Sequence, residues 1–454
     1  MKLAVIGGGG VRSMFLAKSI AQKAAQLGIT DLVFMDNNEQ KLKIYGTMAQ
    51  TVAARIDSRL RFTLTTDAKA AVQDADYVIT TIRVGEDDMR VKDERIALSK
   101  GVLGQETTGA AGFSFAMRSV GALADYCELV KACAKPGCKV FNFTNPAGVV
   151  SQTLRDLGYD FTYGICDAPS GMLRSFEKLY GAPEGSAKGE LYGLNHLSYF
   201  QSVTINGEEK LRDLIEDDRA YAETDLRYFE KSLLRERHAI LNEYLYYYYY
   251  REKAVANILH APQTRGEQIA EINRRMTAEL SQIDVARDFD KALAIFERWY
   301  GERENNYMAA ESGVKRQGQW SFDMFGKDDG GYAGVALKFM EIARGGQPDS
   351  MILCVPNGGA IDGLLPTDVV EVTCDIVGGE AIPHRFGQVD AQNLELIRRV
   401  KNYERLASEA IRTKSRTRAV EALTLHPLVG SYSLATALVK DYLALNRAYT
   451  GDWA

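Results

Sequence analysis

The stretch Lys2-Leu-Ala-Val-Ile-Gly-Gly-Gly-Gly-Val11 and the run Asp31-Leu-Val-Phe-Met-Asp36 decide the fold of this chain. The first is an apolar, β-prone segment that stops at four glycines, and helical periodicity follows it as far as Leu27. The second is another β-prone segment, and it ends in an acid. This order predicts a strand, a crossover helix and a second, parallel strand.

The same pattern continues further along the chain. Residues 75–82 and 139–143 are typical of buried strands, and helical stretches separate them. Alternation of strands and helices predicts an α/β fold with a Rossmann-like, doubly wound parallel sheet. We place this first domain at residues 1–165.

The remainder, residues 166–454, is expected to form a second, mixed α+β lobe. Its charged and helical part precedes residues 351–355 and 369–373, which are predicted to be strands of that lobe. Residues 391–445 have the periodicity of two or more amphipathic helices. We expect this lobe to bind metal and substrate.

Composition narrows the class of protein. The chain has 454 residues, of which 46% are hydrophobic and 25% charged, as in soluble globular proteins. A formal charge of −5 gives no basic field for nucleic acid, and no apolar run reaches the ~20 residues of a membrane span. Six cysteines without metal-knuckle spacing indicate reduced thiols in the cytoplasm. We therefore expect a soluble, cytoplasmic protein with a small-molecule partner.

The glycine cluster is the first motif with a chemical meaning. Gly7, Gly8, Gly9 and Gly10 let the backbone approach a pyrophosphate at a helix N-terminus, where free amides favour an anion. The alternative is a tight turn only. Asp36, at the end of the second strand, favours a dinucleotide because its carboxylate can hold ribose hydroxyls. The same charge would repel a 2′-phosphate, so the motif predicts NAD in preference to NADP.

Cys166 and His196 form a candidate metal pair, because a thiolate and an imidazole that each end a short strand can share one divalent ion. Either residue alone could instead be buried in the core.

Six tyrosines lie within residues 244–250, and most of them are expected to be aromatic packing. A tyrosine such as Tyr244 can act as a base only where a neighbouring cation lowers its pKa. Arg265, on a polar turn, suits a phosphate dianion.

Together these motifs resemble glycoside hydrolase family 4, the NAD-dependent and metal-dependent glycosidases, over essentially the whole chain. The motifs that carry the resemblance are the glycine-rich start with Asp36, Ile82-Arg-Val-Gly85 with Arg90 and Asp93-Glu94, Gly104-Gln-Glu106, Asn142-Phe-Thr-Asn-Pro-Ala147, Cys166-Asp-Ala-Pro169, Gly193-Leu-Asn-His196, Tyr244-Leu-Tyr-Tyr-Tyr248, and Asn357-Gly-Gly-Ala-Ile361 with Leu365-Pro366.

The resemblance implies a hydrolysis in which NAD⁺ takes a hydride from C3 of the sugar and later returns it. By position, Tyr244 matches the base that removes the C2 proton, and Asp167 matches a residue that can protonate the leaving oxygen. Cys166 and His196 match the ligands of a divalent metal, for which the resemblance implies Mn²⁺, that stabilises charge on the C2 and C3 oxygens. The glycosidic oxygen then leaves, water adds at C1, and the hydride returns.

The resemblance also assigns binding residues. A 6-phosphate on the sugar would be held by Arg90, Asn145 and Arg265, which predicts a phosphorylated glycoside as the substrate. The cofactor-binding residues are expected to be Gly7, Gly8, Gly9, Gly10, Val11, Arg12, Asp36 and Arg83. The family implies a homodimer or homotetramer, and its N-terminal lobe is like that of lactate and malate dehydrogenases.

The anomer is open. Asp167 is a choice associated with 6-phospho-α-glucosidases, whereas the opening Gly-Gly-Gly-Gly-Val-Arg-Ser13 resembles a subgroup regarded as β-type. We predict a 6-phospho-β-glucosidase, with a 6-phospho-α-glucosidase or another family 4 glycosidase as the alternative. An NAD-dependent 2-hydroxy-acid dehydrogenase and a catalytically silent NAD sensor are the alternatives from other classes.

Overall fold

The computed structural model describes residues 1–316, 318, 320–327 and 333–454. The strands are β1 (Lys2–Ile6), β2 (Asp31–Met35), β3 (Arg61–Thr65), β4 (Tyr77–Thr80), β5 (Lys139–Asn142), β6 (Thr162–Gly164), β7 (Ala187–Leu194), β8 (Leu197–Ile205), β9 (Glu208–Glu209), β10 (Ile240–Leu241), β11 (Ser350–Pro356), β12 (Val369–Val377) and β13 (Glu380–Pro383).

The helices are α1 (Ser13–Leu27), α2 (Glu39–Lys41), α3 (Thr47–Ile56), α4 (Ala68–Val72), α5 (Glu86–Leu98), α6 (Gly109–Cys133), α7 (Ala147–Asp156), α8 (Ala168–Tyr180), α9 (Leu211–Glu216), α10 (Asp218–Glu223), α11 (Lys231–Arg237), α12 (Tyr246–Tyr249), α13 (Arg251–His260), α14 (Arg265–Leu280), α15 (Phe289–Asn305), α16 (Ala309–Ser312), α17 (Gly334–Ala343), α18 (Ala391–Thr413), α19 (Arg416–Leu425) and α20 (Tyr432–Thr450). A π-helical turn (Leu42–Gly46) joins α2 to α3, and short 3-10 turns cover Asp225–Tyr228 and Glu243–Leu245.

Six parallel strands form the centre of the molecule, in the spatial order β3-β2-β1-β4-β5-β6. Leu3 pairs with Leu32 on one side and with Tyr77 on the other, and the chain from Leu3 to Ile6 is fully buried. Burial on both faces is why these strands are apolar without alternation. The order reverses at β1, which is the arrangement of a doubly wound sheet, so the predicted Rossmann-like fold is confirmed.

Three more strands extend this sheet at its β6 edge. β11 runs antiparallel to β6, with Cys354 opposite Gly164, and β12 and β13 follow in antiparallel order. The predicted strands at residues 351–355 and 369–373 therefore exist, but they continue the first sheet and do not build the second lobe. Hydrophobic periodicity indicates that a strand is buried, not which sheet edge it pairs with. The sheet thus continues past the division proposed at residue 165.

The mixed second lobe has its own antiparallel sheet, in which β7, β8, β9 and β10 pair. β7 packs against β12, where Leu191 N donates to Thr373 Oγ1 at 2.9 Å. The C-terminal helices α18, α19 and α20 cover the predicted helical region at residues 391–445, and α20 continues beyond it to Thr450. In the described parts of the chain, no helix combines the length and apolarity needed to cross a bilayer.

A separate apolar cluster fastens the helices α14 and α15 to α1 and α3. Met14 and Met48 on the Rossmann side contact Met276, Phe289 and Phe296 on the other. This packing brings α15 beside the glycine loop that precedes α1. At the end of this loop, Arg12 Nε donates to the Tyr300 hydroxyl of α15 at 3.1 Å.

Candidate active site

A cavity of about 390 Å³ lies at the carboxyl ends of the parallel strands, where ligands bind in doubly wound sheets. Nine of the predicted site residues line it: Arg12, Arg83, Arg90, Asn145, Cys166, Asp167, His196, Tyr244 and Arg265. The four glycines, Val11 and Asp36 lie outside its lining, in the adjoining loops after β1 and β2. The fold thus brings together residues as far apart in the sequence as Arg12 and Arg265.

The glycine loop is packed too tightly for side chains. Gly7 N and Gly8 N both donate to the Met35 carbonyl at 2.8 Å, and Gly9 N donates to Asp36 Oδ2 at 2.9 Å. A Cβ atom on Gly9 would lie 2.9 Å from Asp36 Cγ, and Gly7 has a φ of +99°. The loop therefore presents bare backbone at the N-terminus of α1, which suits a pyrophosphate.

Cys166 and His196 are neighbours in the cavity lining, with 3.6 Å between Sγ and Nε2. Metal–thiolate and metal–imidazole bonds of about 2.3 and about 2.1 Å place such donor atoms about 3.5 Å apart at a tetrahedral angle. Burial lowers the pKa of His196 to about 3, which keeps its imidazole neutral as a ligand requires. Burial also raises the pKa of the Cys166 thiol, so a nearby cation is needed to form its thiolate. The pair fits one divalent ion.

The protein itself offers few side chains as ligands for a metal ion at this place. The described residues contain no group of three or more His, Cys, Asp or Glu side chains placed to hold a metal. An ion at Cys166 and His196 would therefore keep positions for substrate oxygens or water.

Tyr244 is the member of the tyrosine run that joins this pair. Its ring stacks on the His196 ring at 3.8 Å between centroids and 9° between planes. The Tyr307 hydroxyl donates to the Tyr244 hydroxyl at 3.4 Å. Burial, together with the neighbouring Glu243 carboxyl, raises the pKa of Tyr244 above its ordinary value. A cation at the stacked imidazole would act in the opposite direction.

The other tyrosines of the run mostly serve packing, as predicted. Tyr246 donates to the Glu311 carbonyl at 3.2 Å, and the Tyr248 hydroxyl is 2.8 Å from Thr108 Oγ1. Tyr247, which is buried, is the further member that reaches the cavity lining.

Two of the predicted arginines are neutralised by acids. Arg90 Nε donates to Glu94 at 2.8 Å, and its Nη1 lies 3.0 Å from Glu106. Arg83 also pairs with Glu106. Although burial acts in the opposite direction, Arg83 and Arg90 lower the pKa of Glu106 to about 2. Glu106 therefore stays ionised and holds both guanidinium groups at the cavity wall.

Two other arginines form no ion pair with an acid among the described residues, although the Glu304 carboxyl attracts the charge of both. Arg265 is the first residue of α14, placed by a capping box of Thr264 and Glu267, and its Nη2 donates to the Arg303 carbonyl at 2.9 Å. Arg265 Nη1 and Arg303 Nε are buried without a hydrogen-bond partner in the described structure. Burial and the nearby Arg12 lower the pKa of Arg303 to about 10, and burial and Arg90 lower that of Arg265. This unsatisfied positive charge is a site for an anion.

Sequence reasoning missed Arg303. It lies in the segment Glu302-Arg-Glu304 of α15, which has the pattern of a solvated helix face, and only the packing of α15 on the glycine loop turns it inward. Glu243 was also missed. Burial raises the pKa of Glu243 to about 8, and its Oε2 atom has no partner within the described chain.

Asp167 and Asn145 complete the predicted set. Asp167 precedes α8 at the end of the turn after β6, and burial raises the pKa of its carboxyl despite the nearby Arg12. The raised pKa favours the protonated form of this carboxyl. Asn145 follows β5 and is joined to Pro146 by a cis peptide bond.

Known proteins resemble this chain over its whole length. The chain is 28% identical to the 6-phospho-beta-glucosidase BglT of Thermotoga maritima, over 99% of both chains. It is 25% identical to the phospho-alpha-glucosidase PagL of Clostridium acetobutylicum, over 99% of this chain and 98% of the relative. The structure of a Thermotoga maritima 6-phospho-beta glucosidase with manganese, NAD⁺ and glucose-6-phosphate superposes with a TM-score of 0.82 at 27% identity, covering 100% of both chains.

A malate dehydrogenase of Salinibacter ruber shares the fold more distantly, with a TM-score of 0.51 at 13% identity, over 91% of this chain and 99% of that one. The model described as family 4 glycosyl hydrolase matches residues 2–182, and the model of its C-terminal domain matches residues 191–429. The chain therefore belongs to glycosyl hydrolase family 4, as its motifs, fold and cavity together require.

Proposed function

We propose that this enzyme hydrolyses 6-phospho-glucosides, with 6-phospho-β-glucosides as the preferred substrates. The observation that carries the proposal is that one cavity contains both the Cys166, His196 and Tyr244 group and the unbalanced charge of Arg265 and Arg303. The first group suits proton removal beside a cation, and the second suits a phosphate. The relatives named 6-phospho-glucosidases support the same substrate class.

The cofactors of the proposal are NAD⁺ and Mn²⁺, both of which the superposed relative contains. Gly7, Gly8, Gly9, Gly10, Val11, Arg12, Asp36 and Arg83 are proposed to hold the dinucleotide, and Cys166 and His196 to hold the metal. When bound, NAD⁺ accepts and returns the C3 hydride, and Mn²⁺ stabilises negative charge on the sugar oxygens.

The side chains divide the proton transfers between them. Tyr244, in its stack with His196, is proposed to take the C2 proton, because loss of hydride from C3 makes that proton acidic. Asp167 is proposed to give a proton to the leaving oxygen, which its raised pKa permits. The two roles need opposite protonation states. Burial raises the pKa of both groups, so the base role of Tyr244 requires a cation bound beside it, whereas the acid role of Asp167 does not.

Phosphate recognition is assigned to Arg90, Asn145 and Arg265, with Arg303 added by the structure. Arg90 is already held by Glu94 and Glu106, so it is well placed but largely neutralised. Arg265 and Arg303 have unused donors, and a dianion between them would satisfy both.

The test uses purified enzyme with NAD⁺, Mn²⁺ and a thiol reductant, and p-nitrophenyl 6-phospho-β-glucoside as substrate. Tyr244→Phe is expected to lower kcat by roughly 10²- to 10⁴-fold, the usual contribution of a positioned acid or base. Tyr250→Phe, whose hydroxyl only accepts from Glu230 N, is the matched control. Formation of one NADH per substrate consumed would show a dehydrogenase and overturn the proposal, as would full activity of Tyr244→Phe.

An independent readout is the hydrogen at C2. Hydrolysis in D₂O should introduce deuterium at C2 of the product sugar, because the proposed base exchanges that proton. A direct displacement would introduce none.

The α-specific activity is a second candidate, carried by one observation. Asp167 is an acid in the cavity wall, and burial raises its pKa, as suits a proton donor to the leaving oxygen. We therefore propose assaying matched α- and β-linked p-nitrophenyl 6-phosphoglucosides on the same preparation. A higher kcat/KM for the α-linked compound would reverse our preference for the β-anomer.

We also propose that the first domain ends near residue 165, that the protein acts in the cytoplasm and that it assembles as a homodimer or homotetramer. The six cysteines, which are free thiols in the structure, support a reducing compartment. Sedimentation equilibrium would measure the assembly, and a monomer at micromolar concentration would contradict it.

A further inference from the structure

Glu371 is a buried acid that none of the proposed steps uses. It lies in the middle of β12 with 1% of its surface exposed, and no Lys, Arg or His side chain in the described structure forms an ion pair with it. A buried carboxylate without a counter-ion is costly unless hydrogen bonds and a cation compensate it. The groups that contact the Glu371 carboxylate should therefore show what this buried acid does.

The two oxygens of Glu371 hold both sides of one turn. Asn195 Nδ2 donates to Oε1 at 2.9 Å, and Ser198 Oγ donates to Oε2 at 2.9 Å. These donors flank His196, which occupies the β7–β8 turn with a φ of +63°. A side chain other than glycine in this left-handed region needs support from its surroundings. Glu371 supplies that support from the neighbouring strand.

Glu371 also lies close to the segment after β6 that carries Cys166, the other member of the pair. Cys354 Sγ is 4.0 Å from Glu371 Oε1, and Cys354 pairs with Gly164, two residues before Cys166. Burial raises the pKa of Glu371 to about 7, while the bonds from Asn195 and Ser198 favour its ionised form. The Glu371 carboxyl thus lies near both the turn that carries His196 and the segment that carries Cys166.

We propose that Glu371 is a positioning residue for the Cys166–His196 pair, holding the His196 turn and supplying buried negative charge toward a divalent cation bound there. This inference rests on the proposed function. Glu371 would act through Asn195 and Ser198 and not on the imidazole itself, whose Nδ1 has no hydrogen-bond partner in the described structure. Removal of outer groups that support metal ligands typically weakens metal binding by about 10- to 100-fold.

The test is Mn²⁺ binding without turnover, measured from the electron paramagnetic resonance signal of free Mn²⁺. Glu371→Gln is expected to raise the Mn²⁺ Kd by about 10- to 100-fold while NAD⁺ affinity stays unchanged. Glu177→Gln is the matched control, since Glu177 is a buried acid that accepts from Ala187 N at 2.8 Å, at the far end of β7. Its Mn²⁺ Kd should equal that of the native enzyme.

If Glu371→Gln does not fold, Ser198→Ala tests the same positioning role. This substitution removes one of the two hydrogen bonds to Glu371 and changes the side-chain volume little. It should raise the Mn²⁺ Kd several-fold in a protein that a cooperative melting transition shows to be folded. An unchanged Kd in either folded variant, with native enzyme that binds Mn²⁺, would overturn the positioning role alone. Native enzyme that binds no Mn²⁺ would instead overturn the proposed function.

Discussion

Replacing Arg303 by methionine should weaken the binding of phosphorylated sugars without destabilising the protein. Methionine keeps most of the aliphatic length of arginine, so the change removes chiefly the guanidinium group. Arg303 Nε has no partner in the described structure, and its charge is opposed by Arg12 and Arg265. Its removal therefore relieves repulsion in the ligand-free enzyme.

The size of the effect follows from the bond that is lost. A hydrogen bond from a charged donor to phosphate contributes roughly 1.5–3 kcal/mol, and about 1.4 kcal/mol corresponds to a factor of ten. We therefore expect the Kd of glucose 6-phosphate to rise by roughly 10- to 150-fold, with a similar fall in kcat/KM for the 6-phosphoglucoside. The melting temperature of the ligand-free variant should equal or exceed that of the native enzyme.

The assay is calorimetric titration with glucose 6-phosphate, together with differential scanning fluorimetry with and without that ligand. Arg298→Met is the control, because Arg298 lies on the same helix but is exposed and pairs with Glu279. Equal weakening in both variants, or native affinity in Arg303→Met, would refute a contact between Arg303 and the phosphate.

Three further predictions concern other parts of the site and the core. Excess chelator should abolish activity and Mn²⁺ should restore it, whereas Cys166→Ser should need at least about tenfold more Mn²⁺ for half-maximal activity. Gly9→Ala, whose Cβ would collide with Asp36, should weaken NAD⁺ binding in a fluorescence titration by at least about tenfold, whereas Gly121→Ala, in open space, should not. Burial lowers the pKa of His426 to about 3 from an unfolded value near 6.5, so its contribution to stability is present above pH 6.5 and is lost as the pH falls below it. In urea titrations His426→Phe should therefore lose less unfolding free energy between pH 6.5 and 5, by up to about 2 kcal/mol, and an identical slope would contradict this.

The N-terminal half of the sheet is predictable because its signals are local. An apolar run, four glycines and a helical segment specify β1, the loop and α1 wherever they occur. The pairing of β11 with β6 has no such signal, since the partners are separated by nearly half the chain. The sequence predicts these strands, and tertiary contacts decide which edge they join.

The site divides in the same way. Cys166, His196 and Tyr244 lie in recognisable motifs, and the fold brings them together as expected. Arg303 and Glu371 have no motif. Arg303 lies in a charged helix, where nothing distinguishes it from solvated neighbours. Glu371 is a lone acid in the apolar run Val369-Val-Glu-Val372, and a single charge in a buried strand is a signal of a special role.

The continuity of the nine-stranded sheet has a consequence for dissection of the protein. A fragment that stopped at residue 182, where the first family region ends, would lack β11 and leave β6 as an uncovered edge. Bare backbone donors and acceptors beside apolar side chains are a template for association with other chains. We expect such a fragment to aggregate, because β11, which covers the β6 edge, is synthesised only near the end of the chain.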